Sequence, residues 1–194
     1  MPTPKIKTAS PSEIDQCVAL IVSAFSNDPV ARWLYREPHA FLEHFPSFVR
    51  VYGSGAFERG SAHYIEGCAA ALWFPPGVRP DEDAVVALIK GTVPASDQDE
   101  VFELFELMEE AYPKEPHWYL LLIGADPGQQ GRGFGSALLS HALEICDRQK
   151  APAYLEPTSP RSVGLYQRHG FEALPIIQLG GSPAITPMFR KARR

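Results

Sequence analysis

The chain has 194 residues, 45% of them hydrophobic and 21% charged, so it has the composition of a soluble globular protein with one sizeable core. Its net charge of −5 argues against nucleic acid as the main partner, and no apolar run approaches the roughly 20 residues that a membrane helix needs. The N-terminal sequence lacks the apolar centre of a signal peptide. We therefore expect a single cytoplasmic domain over residues 1–194, without a nucleic-acid or membrane partner.

The first half of the chain predicts a strand, helices and a hairpin, in that order. The segment KIKTAS alternates as a short strand does, and the apolar spacing after it predicts a helix that ends at NDP. Residues 30–52 are rich in aromatic side chains and predict helices that break near Pro38 and Pro46. The segment SAHYIEGCAAALWFPPG predicts a hairpin with a turn at EG and a stop at the two prolines.

Residues 81–110 contain ten acidic side chains and a single basic one, Lys90. Apolar residues recur on one helical face of this segment, and Ser96 with Asp99 predicts a capping pair. The acidic side of the helix has two interpretations, a solvated surface or a rim that attracts a cationic amine. The sequence does not choose between them.

The second half of the chain alternates between strands and helices. The segment PHWYLLLIGADP predicts a strand covered on both faces, because its centre has no polar residues. A glycine-rich loop, QGRGFG, then leads into a helix over residues 134–150, and PAYLEPTS predicts the next strand. Ser159 and Pro160 predict the start of a further helix, which Gly170 ends. The segments FEALPIIQL and ITPMFRK predict a final pair of strands.

The cysteines and histidines indicate neither disulfides nor a metal site. Cys17, Cys68 and Cys146 are far apart, form no CxxC pair, and are odd in number. The histidines show no ligand spacing such as HxxxH. We expect free thiols in a reducing compartment and no bound metal.

The glycine loop predicts an anion-binding site. A helix N-terminus carries free backbone N–H groups, and glycines let an anion approach them closely. A Walker loop needs Gly-Lys-Ser/Thr, which is absent, and the dinucleotide pattern GxGxxG fails because Leu138 replaces its third glycine. The pattern that fits is Gln130-x-x-Gly133-x-Gly135.

This loop resembles the pyrophosphate-binding motif of the GNAT superfamily of N-acetyltransferases, and LYQRHGF resembles the terminal LYxxxGF signature of that superfamily. Residues 113–172 are similar to its puromycin N-acetyltransferase branch. The resemblance implies an α/β (α+β) fold with a mixed, twisted, mostly antiparallel sheet of about seven strands flanked by helices. A splayed strand pair would form a wedge for coenzyme A, and the cosubstrate would be acetyl-CoA.

The resemblance also implies how acetyl-CoA is held. Backbone N–H groups of the loop would bind the pyrophosphate, and the backbone at the end of the LLLIGADP strand would bind the pantetheine arm and polarise the thioester carbonyl. Arg132 either contacts a phosphate or points into solvent. Ser162 stands where many relatives have asparagine, so its contact to the cofactor would be shorter or lost. The predicted cofactor-binding residues are Ile123, Gly124, Ala125, Gln130, Gly131, Arg132, Gly133, Phe134, Gly135, Ser136 and Ser162.

Tyr166 matches the tyrosine of the family that protonates the departing thiolate, a role that suits a phenol because it stays protonated at neutral pH. The general base has three candidates, Glu156, His117 and Asp28, each with an ordinary structural interpretation as well. A dedicated base is unnecessary if the amine has a low pKa.

The acceptor would be a primary amine of a small molecule. Candidate pocket residues are an acid and several aromatics, although each aromatic could equally belong to the core: Asp28, Trp33, Trp73, Phe74 and Tyr119. The alternative function is a non-catalytic acyl-CoA sensor on the same fold, which could dispense with Tyr166. A homodimer is an expectation from the family alone.

Overall fold

The computed structural model describes residues 4–193, and its centre is a seven-stranded sheet in the order β1-β2-β3-β4-β5-β7-β6. Every neighbouring pair is antiparallel except β4 and β5, which are parallel. This confirms the expected mixed, mostly antiparallel sheet; residues 1–3 and 194 of the expected domain lie outside the described residues. The strands are β1 (Lys7–Thr8), β2 (Ala62–Ile65), β3 (Ala69–Phe74), β4 (Trp118–Ala125), β5 (Ala153–Leu155), β6 (Glu172–Ala173) and β7 (Met188–Arg190).

Eight α-helices accompany the sheet within residues 4–193, and none of them has both the length and the apolar character needed to cross a bilayer. They are α1 (Ile14–Ala24), α2 (Pro29–Leu34), α3 (Pro38–Tyr52), α4 (Ser54–Glu58), α5 (Glu82–Thr92), α6 (Ala95–Ala111), α7 (Phe134–Arg148) and α8 (Pro160–Arg168).

Two helix predictions were wrong in detail. Pro46 lies inside α3 and does not break it, because Phe41, Phe45 and Phe48 hold the buried face of the helix in the core. The predicted Ser96–Asp99 cap does not form, because α6 already begins at Ala95 and the Ser96 hydroxyl donates to Asp97 instead. The final two strands are also shorter than their sequence patterns suggested.

The core lies on both faces of the sheet, as the side-chain alternation of β3 demonstrates. Residues Ala70, Leu72 and Phe74 pack with α1, α3 and α5, whereas the alternate residues pack with α7 and α8. Because both faces are covered, every residue of β3 is buried. The predicted strand without polar alternation, β4, is covered in the same way over its first five residues.

The strand β4 changes its phase half-way along. Leu120 pairs with Trp73 and Leu122 pairs with Leu72, so Leu121 is an extra residue in a β-bulge. Leu121 and Leu122 both pack on the α1 face, and the alternation resumes one residue out of step with Ile123 on the α7 face.

At the same point β4 separates from β5. The two strands pair only at Trp118–Ala153, Tyr119–Tyr154 and Leu120–Leu155, and beyond them no pairing continues. The C-terminal half of β4 is therefore bonded to β3 on one edge only, and a gap opens between β4 and the chain after β5.

The end of α1 packs so closely on β4 that only glycine fits at position 124. A Cβ at Gly124 would lie 2.3 Å from the Cβ of Ala24, so Gly124→Ala is expected to lower the free energy of unfolding by about 1–3 kcal/mol. The matched control is Gly91→Ala in α5, where a Cβ would meet nothing within 4 Å. Helix propensity predicts a gain of up to about 1 kcal/mol there. Urea unfolding measures both, and equal effects would contradict the close approach.

Candidate active site

A cavity of about 750 Å³ occupies the gap where β4 leaves β5, and we call it the wedge cavity. One wall is the C-terminal half of β4, and the opposite wall is the segment after β5 together with α8. The glycine loop closes one end, and the turn between α1 and α2 closes another. Its lining comprises residues 24–29, 120–125, 127, 129–131, 133–136, 155–159, 161, 162, 165, 166 and 168.

The glycine loop presents free backbone donors to this cavity. Gly131 and Gly133 have φ angles of +75° and +84°, a region that glycine adopts without strain. The first helical hydrogen bond of α7 runs from Ala137 N–H to Gly133 C=O, at 2.9 Å. The N–H groups of residues 134–136 precede that bond, so they have no acceptor within the helix. They form the positive end of α7 and suit a phosphate.

The unpaired edge of β4 presents further backbone groups. Asp126 N–H donates to Cys68 C=O at 2.8 Å, toward β3. Within that trans peptide the Ala125 carbonyl must point the other way, and the Gln130 side-chain amide donates to it at 3.3 Å. By strand alternation the polar backbone groups of Ile123 point to the same side, into the wedge cavity. This edge could bond an extended chain of amides by strand addition.

Ten of the eleven residues predicted to bind the cofactor line the wedge cavity. The exception is Arg132, whose guanidinium lies 5.3 Å from the centre of the Phe134 ring and donates to the Gln129 side chain. Arg132 is thus held outside the cavity lining. The Ser162 hydroxyl donates to Ser159 C=O at 2.7 Å, so its hydrogen is used within α8. The Ser136 hydroxyl is 2.7 Å from Nε2 of His169.

Two further cavities meet the wedge cavity at Glu156. The inner cavity, of about 80 Å³, lies among α2, α3, α6 and β4, with Phe45 and Leu104 in its wall. The α5–α6 cavity, of about 670 Å³, lies between those two helices and β4, with Phe102 and Tyr112 in its wall. Glu156 lines all three cavities, and Tyr119 lines the inner and α5–α6 cavities. Glu156 is therefore the junction between them.

Two tyrosines hold the Glu156 carboxylate. Tyr119 donates to one oxygen at 2.6 Å and Tyr154 donates to the other at 2.9 Å. Burial raises the pKa of Glu156 to about 7; the two hydrogen bonds lower the pKa, and the charge of Glu109 adds a smaller upward effect. A carboxylate that titrates near neutrality can accept a proton at physiological pH and release it again.

Tyr166 also lines the wedge cavity, with only 6% of its surface exposed. Burial, and after it the negative charge of Asp28, raises the pKa of Tyr166 above its usual value. Its hydroxyl is therefore protonated throughout the neutral range. Asp28 caps α2 by accepting from Val30 N–H and Ala31 N–H, both at 3.0 Å, and accepts from the Thr158 hydroxyl.

Besides Arg132, three predicted site residues lie away from the cavities just described. The His117 imidazole is buried beside the Tyr112 ring at 4.5 Å, with Nδ1 2.7 Å from Glu115 C=O, before the end of β4 that pairs with β5. Trp73 and Phe74 are fully buried in opposite faces of the core. The structure corrects the expectation that these three line the site: Trp73 and Phe74 belong to β3, which is covered on both faces, and His117 is packed against Tyr112 and Tyr154 ahead of β4. Trp33 and Tyr119 do line the inner cavity, and Asp28 lines both it and the wedge cavity.

Several site residues were absent from the sequence prediction. Tyr154, in β5, donates to Glu156 directly after the strand, and their i, i+2 spacing in AYLE places both side chains on one face. Arg161 and Arg168 line the wedge cavity from α8 at a spacing of seven residues, which a helical period would have revealed. The hydroxyl of Tyr52 is 3.4 Å from that of Tyr119, although the two residues are 67 positions apart in the sequence. No local sequence pattern could have indicated this contact.

Comparison with known proteins decides the family. The sequence profile of the Acetyltransferase (GNAT) family matches residues 43–171, well over half of the chain. The chain belongs to the GNAT acetyltransferase family. This family uses acetyl-CoA as its cosubstrate. Among residues 4–193 no group of three histidine, cysteine or acidic side chains is arranged to hold a metal ion.

Curated relatives align with short stretches of this GNAT protein. An uncharacterised N-acetyltransferase of Schizosaccharomyces pombe is 33% identical over 54 residues, which are 28% of this chain and 22% of that protein. A mycothiol acetyltransferase of Beutenbergia cavernae is 33% identical over 67 residues, which are 33% of this chain and 23% of that protein. The match thus spans less than a quarter of the length of these relatives.

Solved structures share the whole fold at low identity. One structure from Corynebacterium glutamicum, named "histone acetyltransferase HPA2 and related acetyltransferase", has a TM-score of 0.71 at 23% identity. The superposition covers 99% of this chain and 98% of that one. A polyamine N-acetyltransferase of Drosophila melanogaster has a TM-score of 0.71 at 15% identity, with 96% and 99% covered. An arylalkylamine N-acetyltransferase 2 of Aedes aegypti has a TM-score of 0.72 at 12% identity, with 97% and 99% covered.

The Glu156 carboxylate, with its raised pKa, is expected to destabilise the fold above neutral pH. Its pKa is about 7 in the folded chain against 4.5 as the ordinary value, so folding becomes less favourable as the pH rises between these values, by up to about 3 kcal/mol. Glu156→Gln should therefore be more stable than the wild type at about pH 8, and the difference should vanish near about pH 4. Thermal unfolding across this range measures it, and a pH-independent difference would contradict the raised pKa.

Proposed function

We propose that this chain transfers an acetyl group from acetyl-CoA directly to the primary amine of a small molecule, in a complex that holds both substrates. The observation that carries the proposal is the position of Glu156, a carboxylate with a pKa of about 7 at the junction of the wedge cavity and the two cavities beyond it. Membership of the GNAT family supports the reaction class.

The wedge cavity supports the binding of acetyl-CoA along its length. Backbone N–H groups of residues 134–136 are suited to its pyrophosphate, with Arg161 and Arg168 on the facing helix as further positive charges. The unpaired backbone edge at Ile123 and Ala125 is suited to the amides of the pantetheine arm. A backbone N–H of the same edge would stabilise the negative charge that develops on the thioester oxygen.

Glu156 and Tyr166 divide the proton transfers. Glu156 accepts a proton from the attacking amine, whose nitrogen forms the new amide bond as the carbon–sulfur bond breaks. Tyr166 gives its proton to the departing thiolate, and a proton returns to the phenolate when Glu156 deprotonates to solvent. Tyr119 and Tyr154 fix the orientation of the base, since each donates to one carboxylate oxygen. Asp28 fixes the turn beside Tyr166.

The small-molecule acceptor has independent support. Structural neighbours carry the names polyamine, agmatine and arylalkylamine N-acetyltransferase. The resemblance of residues 113–172 to the puromycin N-acetyltransferase branch supports the same substrate size, without making puromycin the acceptor. The thiol released from acetyl-CoA in the presence of an amine panel tests the proposal. Sustained release above the hydrolysis background supports it, whereas tight coenzyme A binding without release with any amine would indicate a sensor instead.

Glu156→Gln is expected to lower kcat by about 100-fold, because an amide cannot accept the proton of the amine. In the wild type, kcat/KM should rise with pH through about 7, the pKa of Glu156, since only the carboxylate is active. The residual activity of the variant should lack this limb. A limb that persists in Glu156→Gln would belong to the substrate amine, and the assignment of the base would fail.

Tyr166→Phe is expected to lower kcat by about 100-fold while the Kd for acetyl-CoA changes little, because the lost hydroxyl acts on the leaving thiolate. Tyr35→Phe is the matched control: Tyr35 is also buried, and its hydroxyl contacts Thr92 outside the wedge cavity. Steady-state kinetics with calorimetry of acetyl-CoA binding separates the two effects. Equal kcat values for both variants would exclude Tyr166 as the acid.

A further inference from the structure

The α5–α6 cavity has the size and walls of a small-molecule site. Its volume of about 670 Å³ falls within the range of ligand cavities. Five of its lining residues are aromatic, and their rings surround the cavity from four elements or connections: Tyr52, Phe102, Phe105, Tyr112 and Tyr119. Tyr52 lies 6.4 Å from Phe105 and Tyr112 lies 5.1 Å from Tyr119, measured between ring centres. Such walls favour a flat apolar group.

The inner end of this cavity is the Glu156 carboxylate. Tyr119 and Glu156 belong to its wall, and Glu156 also belongs to the wall of the wedge cavity. An amine nitrogen bound at Glu156 therefore lies between two spaces: the wedge cavity, proposed to hold the thioester, and the aromatic walls of the α5–α6 cavity. The body of an acceptor has space between the rings while its nitrogen points at the wedge cavity.

The charges around the mouth disfavour anions. Besides Glu156 at the inner end, four acidic residues line this cavity, Glu82, Asp99, Glu106 and Glu109, against the two basic residues Arg79 and Lys90. Arg79 is already paired, since its Nη1 lies 2.7 and 2.6 Å from the two oxygens of Glu109, and its guanidinium stacks 3.9 Å from the Tyr112 ring. The remaining charge is negative, so a carboxylate on the acceptor would be repelled.

We propose that the α5–α6 cavity binds the body of the acceptor, and that the acceptors are primary amines with a flat aromatic group on a short linker and no anionic group. This inference rests on the proposed acetyl transfer and adds the substrate class. The aromatic walls provide the affinity for the body, Glu156 receives the amine, and the acidic mouth excludes amino acids.

The test compares four probes with acetyl-CoA: phenethylamine, phenylalaninamide, phenylalanine and spermidine. Phenethylamine and phenylalaninamide should have kcat/KM values at least about tenfold above those of phenylalanine, which differs from its amide by the carboxylate. Both should also exceed spermidine, which has no flat group. A kcat/KM for spermidine or phenylalanine equal to that of phenethylamine would overturn the proposal.

A matched pair of variants locates the site. Phe102→Ala removes a half-buried ring from the cavity wall, and Phe57→Ala removes a half-buried ring outside the three cavities. Phe102→Ala should raise the KM for phenethylamine about tenfold with little change in the KM for acetyl-CoA, whereas Phe57→Ala should leave both unchanged. Equal KM values for the two variants would overturn the proposed location.

Calorimetry distinguishes a wrong substrate class from a wrong reaction. Phenethylamine is titrated into the wild type and both variants in the presence of coenzyme A, which requires no turnover. Binding that Phe102→Ala weakens and Phe57→Ala does not would support the cavity even if no thiol were released, and would then count against acetyl transfer alone. Turnover of amines without this difference would overturn the cavity and leave acetyl transfer standing.

Discussion

The loss of pairing between β4 and β5 after Leu120 is the constraint on which the site depends. A buried strand edge whose N–H and C=O groups lack partners is costly, because burial removes the water that would otherwise satisfy them. Here the edge is only partly buried, because Ile123, Gly124 and Ala125 line the wedge cavity. In the proposed complex the pantetheine amides would pair with this edge, while β3 and the end of α1 hold the other edge and face of β4 in place.

The same gap explains the chemistry of its walls. Because β5 ends at Leu155, the next residue is free to turn its carboxylate toward three cavities at once, and two tyrosine hydroxyls are sufficient to hold it there. The raised pKa that results from burial suits Glu156 to its proposed role as the base and makes its charged form costly to the fold. The proposed reactivity of Glu156 thus has a cost in stability. The packed rings of Tyr112, Tyr119 and Tyr154 around it offset that cost.

How much could be read from the sequence depended on the range of the interactions involved. The strand, glycine loop and helix around residues 118–148 are local, and their order, their approximate boundaries and the free N–H groups of the loop were predictable from turn chemistry and apolar spacing. The role of Arg132 was not, since its partner Gln129 competes with the loop for it. Trp73 and Phe74 are residue types that often line pockets, but the pairing of β3 with distant strands buries them. His117 is buried by aromatic contacts with Tyr112 and Tyr154, which are also distant in sequence or without a local signal.

Because of the bulge at Leu121, the number of residues in β4 matters more than the identity of the bulged residue. Because this extra residue shifts the alternation by one, Ile123 and Ala125 present their backbone to the gap while Gly124 faces α1. A substitution at Leu121 would preserve that phase, whereas a deletion there would rotate every later position by half a period. We therefore expect β4 to tolerate substitution of Leu121 better than its deletion. Insertions or deletions in this strand would disrupt the gap more than substitutions would.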